Sequence, residues 1–415
     1  STRRTRLALG ILIPYVRCGQ TTLPGFSLPV YVGTMAPSPR PNPRRGKRKP
    51  APRQRPRKRK AVQSIGSVER AAHALREGKP VAVKSGREIV IVYAVETMSG
   101  AKLSAARKTA KHLRLVLTHA RARTLKIRLY TPDAIALPID AKDRVEKLRA
   151  IADPTDDMAE PMKGPFEAER AKLPVGFLAG IKLAKLSGLL PAIVAARIAK
   201  TDSNIVTIGA RDIADYEGEA AKTLKIVTRA RVPLEGAEKT ELIAFRSADG
   251  GPEHYAILIN APSTRAPILA RLHSECFTGD LLGSLKCDCG PQLRGAIDAI
   301  AKNGGGMLLY LAQEGRGIGL INKLRAYRLQ DQGFDTLQAN ERLGFEIDER
   351  LYGIAAKMLK LLGYGAVRLM TNNPDKVSAL EKYGVTVAER VPHTFPTNAH
   401  NAGYIATKAR AGHQF

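Results

Sequence analysis

In "GGMLLYLAQEGRGIGLINKLRAYRLQDQG" (residues 305–333), the chain passes from an apolar run through a glycine-rich polar loop into a helical pattern. The apolar run predicts a buried strand. Leu320, Leu324 and Tyr327 then recur at helical spacing, and Gly333 stands where that helix is expected to end. The stretch therefore predicts a strand, loop and helix in succession, as in α/β proteins.

A second stretch, "GAVRLMTNNPDKVSALEKYG" (residues 365–384), follows the same plan. Asn373 is predicted as the N-cap of a helix, Pro374 takes its first position, and Gly384 marks its end. Both polar loops follow the carboxyl ends of predicted strands. Ligands bind at that edge in open α/β sheets, so we expect a functional site there.

The N-terminal half also mixes strands and helices. "EIVIVYAVE" (residues 88–96) predicts a strand, and "FLAGIKLAKLSGLLPAIVAARIA" (residues 177–199) predicts a helical stretch. We therefore expect an α/β (α+β) protein with two mixed α/β domains. The predicted divisions are a disordered arm at 1–63, a first domain at 64–230, a second domain at 231–400 and a tail at 401–415.

The net charge of +29 is concentrated near the N-terminal end. Residues 1–60 contain sixteen Lys or Arg and no Asp or Glu, which accounts for more than half of the excess. Proline and like charges in residues 37–60 prevent a hydrophobic core, so we expect a solvated, disordered arm. Weak nucleic-acid binding by this arm is the alternative interpretation. No apolar run of about 18 residues occurs, so we expect no membrane-spanning helix.

The chain has four cysteines, and three of them, Cys276, Cys287 and Cys289, fall within "CFTGDLLGSLKCDC". Three thiolates leave a fourth tetrahedral position open, which is typical of catalytic zinc. Reduced structural cysteines and a redox pair are the alternatives. His273 is a candidate fourth ligand, although it can equally bind substrate or pack. The sparse use of cysteine favours a reducing, cytoplasmic compartment.

Four stretches between residues 231 and 395 closely resemble GTP cyclohydrolase II, a zinc enzyme of riboflavin biosynthesis. In chain order they are "RLHSECFTGDLLGSLKCDCGPQL", "QEGRGIGLINKLRAYRLQDQGFDT", "ANERLGFEIDERLYGI" and "RLMTNNPDKV". Several long motifs in the right order make this resemblance specific, whereas "EGRGIG" alone would be weak.

The resemblance implies a role for eighteen residues of this chain. The implied zinc ligands are Cys276, Cys287 and Cys289. The implied GTP contacts are Arg271, Leu272, His273, Ser274, Glu275, Gln292, Glu314, Gly315, Arg316, Thr336, Thr371 and Lys376. The implied catalytic residues are Asp348 as proton acceptor, Arg350 as nucleophile and Tyr327 as a group that assists ring opening.

These residue types suit the implied chemistry, which converts GTP to a diaminopyrimidine, formate and diphosphate. Arg and Lys are the donors that a triphosphate needs, and carboxylate and amide groups suit guanine. An arginine nucleophile is chemically awkward because guanidinium stays protonated, so electrostatic stabilisation of the phosphate by Arg350 is the alternative. Tyr327 can also be a packing residue. The resemblance further implies one Zn²⁺ per chain, Mg²⁺ with the triphosphate, and a homodimer.

Residues 64–200 resemble a degenerate 3,4-dihydroxy-2-butanone 4-phosphate synthase. Where that family binds magnesium through an acidic run, this chain has "REIVIV" (residues 87–92), and its later His and Glu are absent from "GFLA" (residues 176–179). Magnesium needs oxygen ligands, which Ile and Val do not provide. We therefore predict that this domain is inactive as a synthase.

Two functional hypotheses follow from the sequence. The first is a GTP cyclohydrolase II fused to an inactive synthase-like domain. The second is a non-catalytic, zinc-containing protein that binds nucleotide or RNA. The cysteine set together with Asp348 and Arg350 favours the enzyme.

Overall fold

The computed structural model describes residues 56–248, 250–410 and 412. Residues 1–55 of the predicted disordered arm lie outside this range, and so do residues 411 and 413–415 of the predicted tail. Within the described part of the chain, two mixed sheets, each covered by helices, form the framework. The predicted α/β (α+β) class with two mixed domains is confirmed.

The first domain contains a six-stranded sheet. Its elements are α1 (Pro56–Arg76), β1 (Val81–Ser85), β2 (Glu88–Ala94), α2 (Gly100–Thr109), β3 (Arg114–Thr118), α3 (His119–Thr124), β4 (Ala134–Pro138), α4 (Val145–Ala152), a 3₁₀ turn (Pro154–Asp156), α5 (Val175–Leu186), β5 (Ala192–Ile198), β6 (Val206–Gly209) and α6 (Ala210–Thr223). The strand order is β4-β3-β5-β2-β1-β6, and only the β1–β6 pair is parallel.

Strand β2 lies in the interior of this sheet, and both of its faces are buried. Val90 and Val92 pack into the core on one face, while Ile91 and Tyr93 pack into the core on the other. A strand covered on both faces has no polar face to alternate with. This explains the continuous apolar run in the sequence.

The second domain contains a seven-stranded sheet. Its elements are β7 (Lys225–Arg231), β8 (Thr240–Arg246), β9 (His254–Ile259), β10 (Ile268–Ser274), a π-helical turn (Phe277–Leu281), α7 (Cys289–Lys302), β11 (Gly306–Leu311), a 3₁₀ turn (Glu314–Gly317), α8 (Leu320–Asp331), α9 (Thr336–Arg342), α10 (Tyr352–Leu361), β12 (Ala366–Met370), α11 (Pro374–Lys382), β13 (Thr386–Val391) and α12 (Ala402–Arg410). The strand order is β13-β12-β10-β11-β9-β8-β7.

Four neighbouring strands of this sheet, β13, β12, β10 and β11, are parallel, whereas β9, β8 and β7 form an antiparallel meander. The carboxyl ends of β10, β11 and β12 therefore meet at one edge. The segments that begin at Glu275, Ala312 and Thr371 leave the sheet there. This is the edge at which the sequence predicts a ligand site.

The two strand–loop–helix units form as predicted. Asn373 caps α11 by accepting a hydrogen bond from the Asp375 amide, Pro374 is the first residue of that helix, and Gly384 has a φ of 73°. Gly333, after α8, has a φ of 96°. These angles lie in the left-handed region that glycine adopts without steric cost.

The face of α8 that carries Leu320, Leu324 and Tyr327 is not its buried face. Leu324 is exposed, and the buried residues of the helix are Asn322, Ala326 and Leu329. The helix therefore forms as predicted, but its apolar periodicity does not mark its buried face, and of the three residues only Tyr327 lines a pocket.

Three boundaries differ from the expected ones. Helix α1 begins at Pro56, eight residues before Ser64, where the first domain is expected to begin. The stretch 177–199, expected to be helical, is divided between α5 and the strand β5, because its apolar residues fit a helix or a buried strand equally well. Strand β7 pairs with β8, so the second sheet begins at Lys225 rather than at residue 231.

The end of the chain also contains structure that the sequence does not indicate. Residues 402–410 of the predicted tail form α12, which contacts α9. Among the residues that the structure describes, no helix is both long and apolar enough to cross a membrane.

Candidate active site

Three thiols meet at the carboxyl edge of the second sheet. Cys276 follows β10, and Cys287 and Cys289 stand at the start of α7. The sulfur atoms all lie within 4.8 Å of one another, and the Sγ atoms of Cys276 and Cys287 are 3.8 Å apart. Zinc–sulfur bonds of about 2.3 Å at tetrahedral angles separate two sulfur ligands by about 3.8 Å. The cluster therefore fits a tetrahedral metal ion.

Gly279 allows this approach. A Cβ atom at position 279 would lie 2.6 Å from the Cys287 Sγ and 3.0 Å from the Cys276 Sγ. Only a residue without a side chain leaves room for the sulfur atoms of Cys276 and Cys287 and for the Cβ of Cys289. The turn that contains Gly279 therefore allows the three-thiol cluster to form.

His273 does not join the thiols. Its Nε2 lies 3.0 Å from the carboxylate of Asp280, and its ring stacks on Tyr310. Burial lowers the pKa of His273, although Asp280 acts in the opposite direction. Asp280 also accepts hydrogen bonds from the Cys276 amide and the Tyr310 hydroxyl, each at 3.0 Å. Asp280 thus ties the thiol loop, defined as residues 275–288, to β10 and β11, and His273 supports that loop.

A buried cation, Arg271, borders the same space. One terminal nitrogen donates to the Met370 carbonyl at 2.9 Å, and the other donates to the side-chain oxygen of Gln292. Its Nε is buried without a hydrogen-bond partner. Burial lowers the pKa of Arg271 to about 10, so the group is still charged near neutral pH. An unmatched donor on a buried cation is expected where an anion binds.

The loop after β11 has an unusual backbone. Arg316 has a φ of 61° and a ψ of 33°, a left-handed conformation that is rare for a residue with a side chain. Gly317 packs so closely that a Cβ atom would lie 2.6 Å from the Glu349 carbonyl oxygen. Strain of this kind is kept mostly at functional sites. The loop is thereby fixed against the segment that contains Asp348 and Arg350.

Asp348 and Arg350 form an ion pair. The Arg350 Nε donates to Asp348 at 2.7 Å, and the Tyr352 hydroxyl donates to the same carboxylate at 3.0 Å. Burial alone would lower the pKa of Arg350, but the bond to Asp348 raises it above the ordinary value. The pKa of Asp348 falls because Arg350 outweighs the effect of burial. The neutral guanidine that a nucleophile requires is therefore strongly disfavoured.

Tyr327, on α8, contacts the thiol loop. Its hydroxyl lies 3.3 Å from the Thr278 hydroxyl, and burial raises its pKa to about 12. The hydroxyl is therefore protonated near neutral pH and can donate a hydrogen bond. Lys323, one turn earlier, lies 2.9 Å from both the Cys276 Sγ and the Glu314 carboxylate.

Seventeen of the eighteen residues implied by the resemblance line this one pocket. The remaining residue, Asp348, does not line the pocket but forms the ion pair with Arg350, which does. Leu272 lines the pocket but is buried, and its carbonyl accepts a hydrogen bond from the Lys376 Nζ at 3.0 Å. Its apolar side chain packs in the core.

Comparisons with known proteins match this arrangement. The family model for GTP cyclohydrolase II covers residues 225–392. A GTP cyclohydrolase-2 from Azospirillum brasilense is 49% identical over 361 residues, which cover 84% of this chain and 94% of the relative. The chain belongs to the GTP cyclohydrolase II family. The family that the sequence motifs predict is thereby confirmed.

The relationship extends beyond the second domain. The 361 residues shared with the Azospirillum protein are more than residues 225–415 contain, so the match includes part of the first domain. A riboflavin biosynthesis protein RibBA from Cytophaga hutchinsonii is 38% identical over 300 residues, covering 66% of this chain and 73% of the relative. A solved two-domain 3,4-dihydroxy-2-butanone 4-phosphate synthase from A. baumannii is 19% identical, with a TM-score of 0.30, over 79% of this chain and 99% of that chain.

Several residues that line the pocket of this GTP cyclohydrolase II family member were not predicted. They are Lys286, Ile318, Lys323, Ala326, Gln330, Asn340, Asn372, Asn373 and Tyr404. Lys323 precedes Tyr327 by four residues, so helical spacing places both on one side of α8 and supplies a signal that could have identified it. Tyr404 comes from α12 and has no such local signal.

In the first domain, the stretch "REIVIV" (residues 87–92) packs against "GFLA" (residues 176–179) and the adjacent Gly180. A Cβ atom at Gly176 would lie 2.3 Å from the Val90 side chain, and one at Gly180 would lie 3.0 Å from that of Val92. Phe177 is buried in the same core. Apolar side chains thus fill the space between "REIVIV" and "GFLA".

Proposed function

We propose that the chain is a zinc-dependent GTP cyclohydrolase II, which converts GTP and water to 2,5-diamino-6-(5-phospho-D-ribosylamino)pyrimidin-4(3H)-one, formate and diphosphate, the first step of riboflavin biosynthesis. The observation that carries this proposal is the meeting of a three-thiol cluster and buried or half-buried cations in one pocket. A metal ion next to a polyanion site suits the hydrolysis of a nucleotide.

Cys276, Cys287 and Cys289 would hold the zinc ion, and their spacing fits it. When bound, zinc supplies an activated water for opening the imidazole ring of guanine. The thiolates bring negative charge to the site, and Lys323 balances part of it through its contact with Cys276. The three cysteines are the one group of three or more Cys, His, Asp or Glu side chains suited to a metal among the residues that the structure describes.

The chain's own residues bind and orient GTP. Arg271, Arg316 and Lys376 contact the triphosphate, because cations that form directed hydrogen bonds suit phosphate oxygens. Magnesium accompanies the triphosphate and takes its oxygen ligands mainly from phosphate and water.

Guanine faces the acidic and amide groups of the pocket, Glu275, Gln292 and Glu314. Burial and the nearby Glu314 raise the pKa of Glu275. Tyr327 donates a hydrogen bond from its protonated hydroxyl to the opening ring. The remaining contacts with GTP come from His273, Ser274, Gly315, Thr336 and Thr371.

Arg350 acts on the α-phosphate as an electrostatic stabiliser. Its ion pair with Asp348 keeps the guanidinium charged and oriented, and a fixed cation stabilises charge that develops during cleavage. This role needs no neutral guanidine. It therefore fits the raised pKa of Arg350 better than a nucleophilic role does.

Formate release by the full chain tests the proposal. Purified protein is incubated with GTP, Mg²⁺ and one equivalent of Zn²⁺, and formate and the diaminopyrimidine are quantified. Cys287→Ser should lose bound zinc and formate production together, whereas Cys18→Ser, a matched change outside the cluster, should lose neither. Wild-type protein that holds zinc and GTP but yields no formate would instead indicate the non-catalytic nucleotide or RNA binder.

The first domain, which we assign to residues 56–224, is proposed to be inactive as a synthase. The proposal is supported by the apolar packing of Val90 and Val92 against α5, because carboxylates in that space would be buried without partners. The expected result with ribulose 5-phosphate and Mg²⁺ is no butanone phosphate. Formation of that product would contradict the assignment.

Three further properties are also proposals. We expect a homodimer, to be measured by light scattering after gel filtration. A cytoplasmic location suits a site that depends on reduced thiols. For the basic arm, weak and salt-dependent nucleic-acid binding is the alternative to a purely solvated segment, and it is measured with full-length protein between low and high salt.

A further inference from the structure

Helix α8 joins the two domains. One of its faces carries Asn322, Arg325 and Leu329 and contacts the first domain, while a neighbouring face carries Lys323 and Tyr327 and lines the pocket. Any displacement of α8 toward or away from the first domain therefore moves pocket residues, Lys323 and Tyr327 among them.

Arg325 is the centre of the contact. Its Nη2 donates to the Glu96 carboxylate at 3.0 Å, and its Nε donates to the Asp153 carboxylate at 3.1 Å. Its Nη1 donates to the Asn322 side-chain oxygen at 2.7 Å. Relative exposures are 19% for the Arg325 side chain, 16% for Glu96 and 28% for Asp153. A guanidinium engaged on three sides and largely shielded from water is held more firmly than a surface ion pair.

The partners of Arg325 are themselves fixed to the backbone. Glu96 accepts a hydrogen bond from the Leu190 amide at 2.8 Å with its second oxygen. Asn322 donates to the Gly188 carbonyl at 3.0 Å and to the Ile318 carbonyl at 2.9 Å. Leu190 belongs to the same small apolar core as residues of α8 and α9. Polar and apolar contacts thus hold α8 against the segment between α5 and β5.

A second link reaches the segment that carries the ion pair. Lys185, in α5, contacts the Glu349 carboxylate at 2.6 Å, and both side chains are 19% exposed. Glu349 lies between Asp348 and Arg350, and its amide donates to the Arg316 carbonyl at 3.1 Å. The first domain therefore contacts both the helix of Tyr327 and the loop of Arg350.

We propose that the first domain acts as a positioning element for the cyclohydrolase pocket, and that Arg325 is the positioning residue through which it fixes Tyr327. The Arg325 clamp, defined as Arg325 with Glu96 and Asp153, holds α8 in the position at which Lys323 and Tyr327 contact the thiol loop. This inference rests on the proposed GTP cyclohydrolase activity. It gives the first domain a function that needs no synthase chemistry.

Arg325→Met in the full-length, zinc-loaded protein tests the clamp, because methionine keeps much of the side-chain volume and removes the charge. We expect kcat to fall by about 10- to 100-fold, because Tyr327, which acts on the reacting ring, would be misplaced. KM for GTP should stay within about twofold. Zinc content should be unchanged. Arg325→Lys, which keeps the charge, should recover part of the lost kcat.

Arg328→Met is the matched control. Arg328 lies on the same helix as Arg325 and pairs with Asp156 of the first domain, but the side chains of Arg328 and Asp156 are 58% and 61% exposed. An exposed pair contributes little, so kcat should stay within about twofold of the wild type. Amide hydrogen exchange over residues 320–331 should rise in Arg325→Met and not in Arg328→Met.

Unchanged kcat and unchanged exchange in Arg325→Met would overturn the proposal. An equal loss in Arg328→Met, or a loss of kcat that follows zinc content, would overturn it as well. If Arg325→Met does not fold, Glu96→Gln decides by the same measurements. If wild-type protein releases no formate, the proposed activity fails, and the exchange comparison still tests the clamp.

Discussion

Replacement of Gly279 by alanine tests the thiol cluster more selectively than loss of a cysteine, because it changes no ligand. The new methyl carbon would lie 2.6 Å from the Cys287 Sγ, 2.9 Å from the Cys289 Cβ and 3.0 Å from the Cys276 Sγ. Non-bonded atoms of this kind rest at about 3.5–4.0 Å. The Cys287 sulfur therefore has to move by about 1 Å.

That displacement determines the expected loss of zinc affinity. Zinc–ligand distances hold to within about 0.2 Å, so a sulfur displaced by about 1 Å no longer binds well. Structural zinc sites bind with about 10–16 kcal/mol over four ligands, or on the order of 3 kcal/mol for each. At 1.4 kcal/mol for each factor of ten, the zinc Kd of Gly279→Ala should rise by about 100-fold.

Zinc competition against a chromophoric chelator measures this change, and formate release at limiting zinc should fall in parallel. Excess zinc should restore part of the activity. Gly365→Ala is the control, since a Cβ atom there meets nothing within 4 Å. Equal zinc affinity in Gly279→Ala and the wild type, with the same thiolate-to-cobalt absorption after Co²⁺ substitution, would refute the geometric reasoning.

Three other predictions concern Arg271, Arg350 and His254. Arg271→Met should raise KM for GTP at least about tenfold in steady-state assays, since it removes a buried cation, whereas the exposed Arg294→Met should not. Mass spectrometry of the acid-quenched reaction should find no nucleotide on Arg350, and an adduct there would establish the nucleophilic role instead. Burial lowers the pKa of His254 from 6.5 to about 4. Below pH 6.5 the unfolded chain therefore binds a proton that the folded chain does not, and the free energy of unfolding should fall by up to about 3 kcal/mol by pH 4. In His254→Asn, the side-chain oxygen can accept the hydrogen bond that the Ala312 amide donates to His254. Urea denaturation of this variant should show a smaller pH dependence of the free energy of unfolding. An unchanged pH dependence would exclude His254 as its source.

The parts of the fold that the sequence predicts well have strong local signals. Asn373, Pro374 and Gly384 delimit α11 because capping and left-handed backbone depend on a few adjacent residues. In the stretch 177–199, Gly188, with a φ of 71°, and Pro191 mark the end of a helix, but the apolar segments on either side of them both suit a buried helix or strand. Tertiary pairing with β2 and β3 makes the second of them β5.

The candidate site follows the same division. The thiols and the implied GTP contacts cluster in motifs, so a resemblance predicts them residue by residue, and the structure brings seventeen of the eighteen residues to one pocket. Tyr404 and the Arg325 clamp depend on contacts between distant segments, and 229 positions separate Glu96 from Arg325. Charge and spacing within one segment carry no information about such pairs. The left-handed backbone of Arg316 has no local sequence signal either, and its carbonyl accepts a hydrogen bond from the amide of Glu349, which lies in a different segment.

The proposed absence of synthase activity and the retention of the first domain are physically compatible, because the two depend on different parts of that domain. Val90 and Val92 lie in an apolar core, where a carboxylate without a partner would cost several kcal/mol. Glu96 and Asp153 lie at the edge of the domain, where both pair with Arg325 and solvent reaches them in part. Substitutions that fill the core with apolar groups leave this edge intact. A domain can therefore lose a metal site to hydrophobic packing while it continues to hold α8, because rigid packing is all that the clamp requires of it.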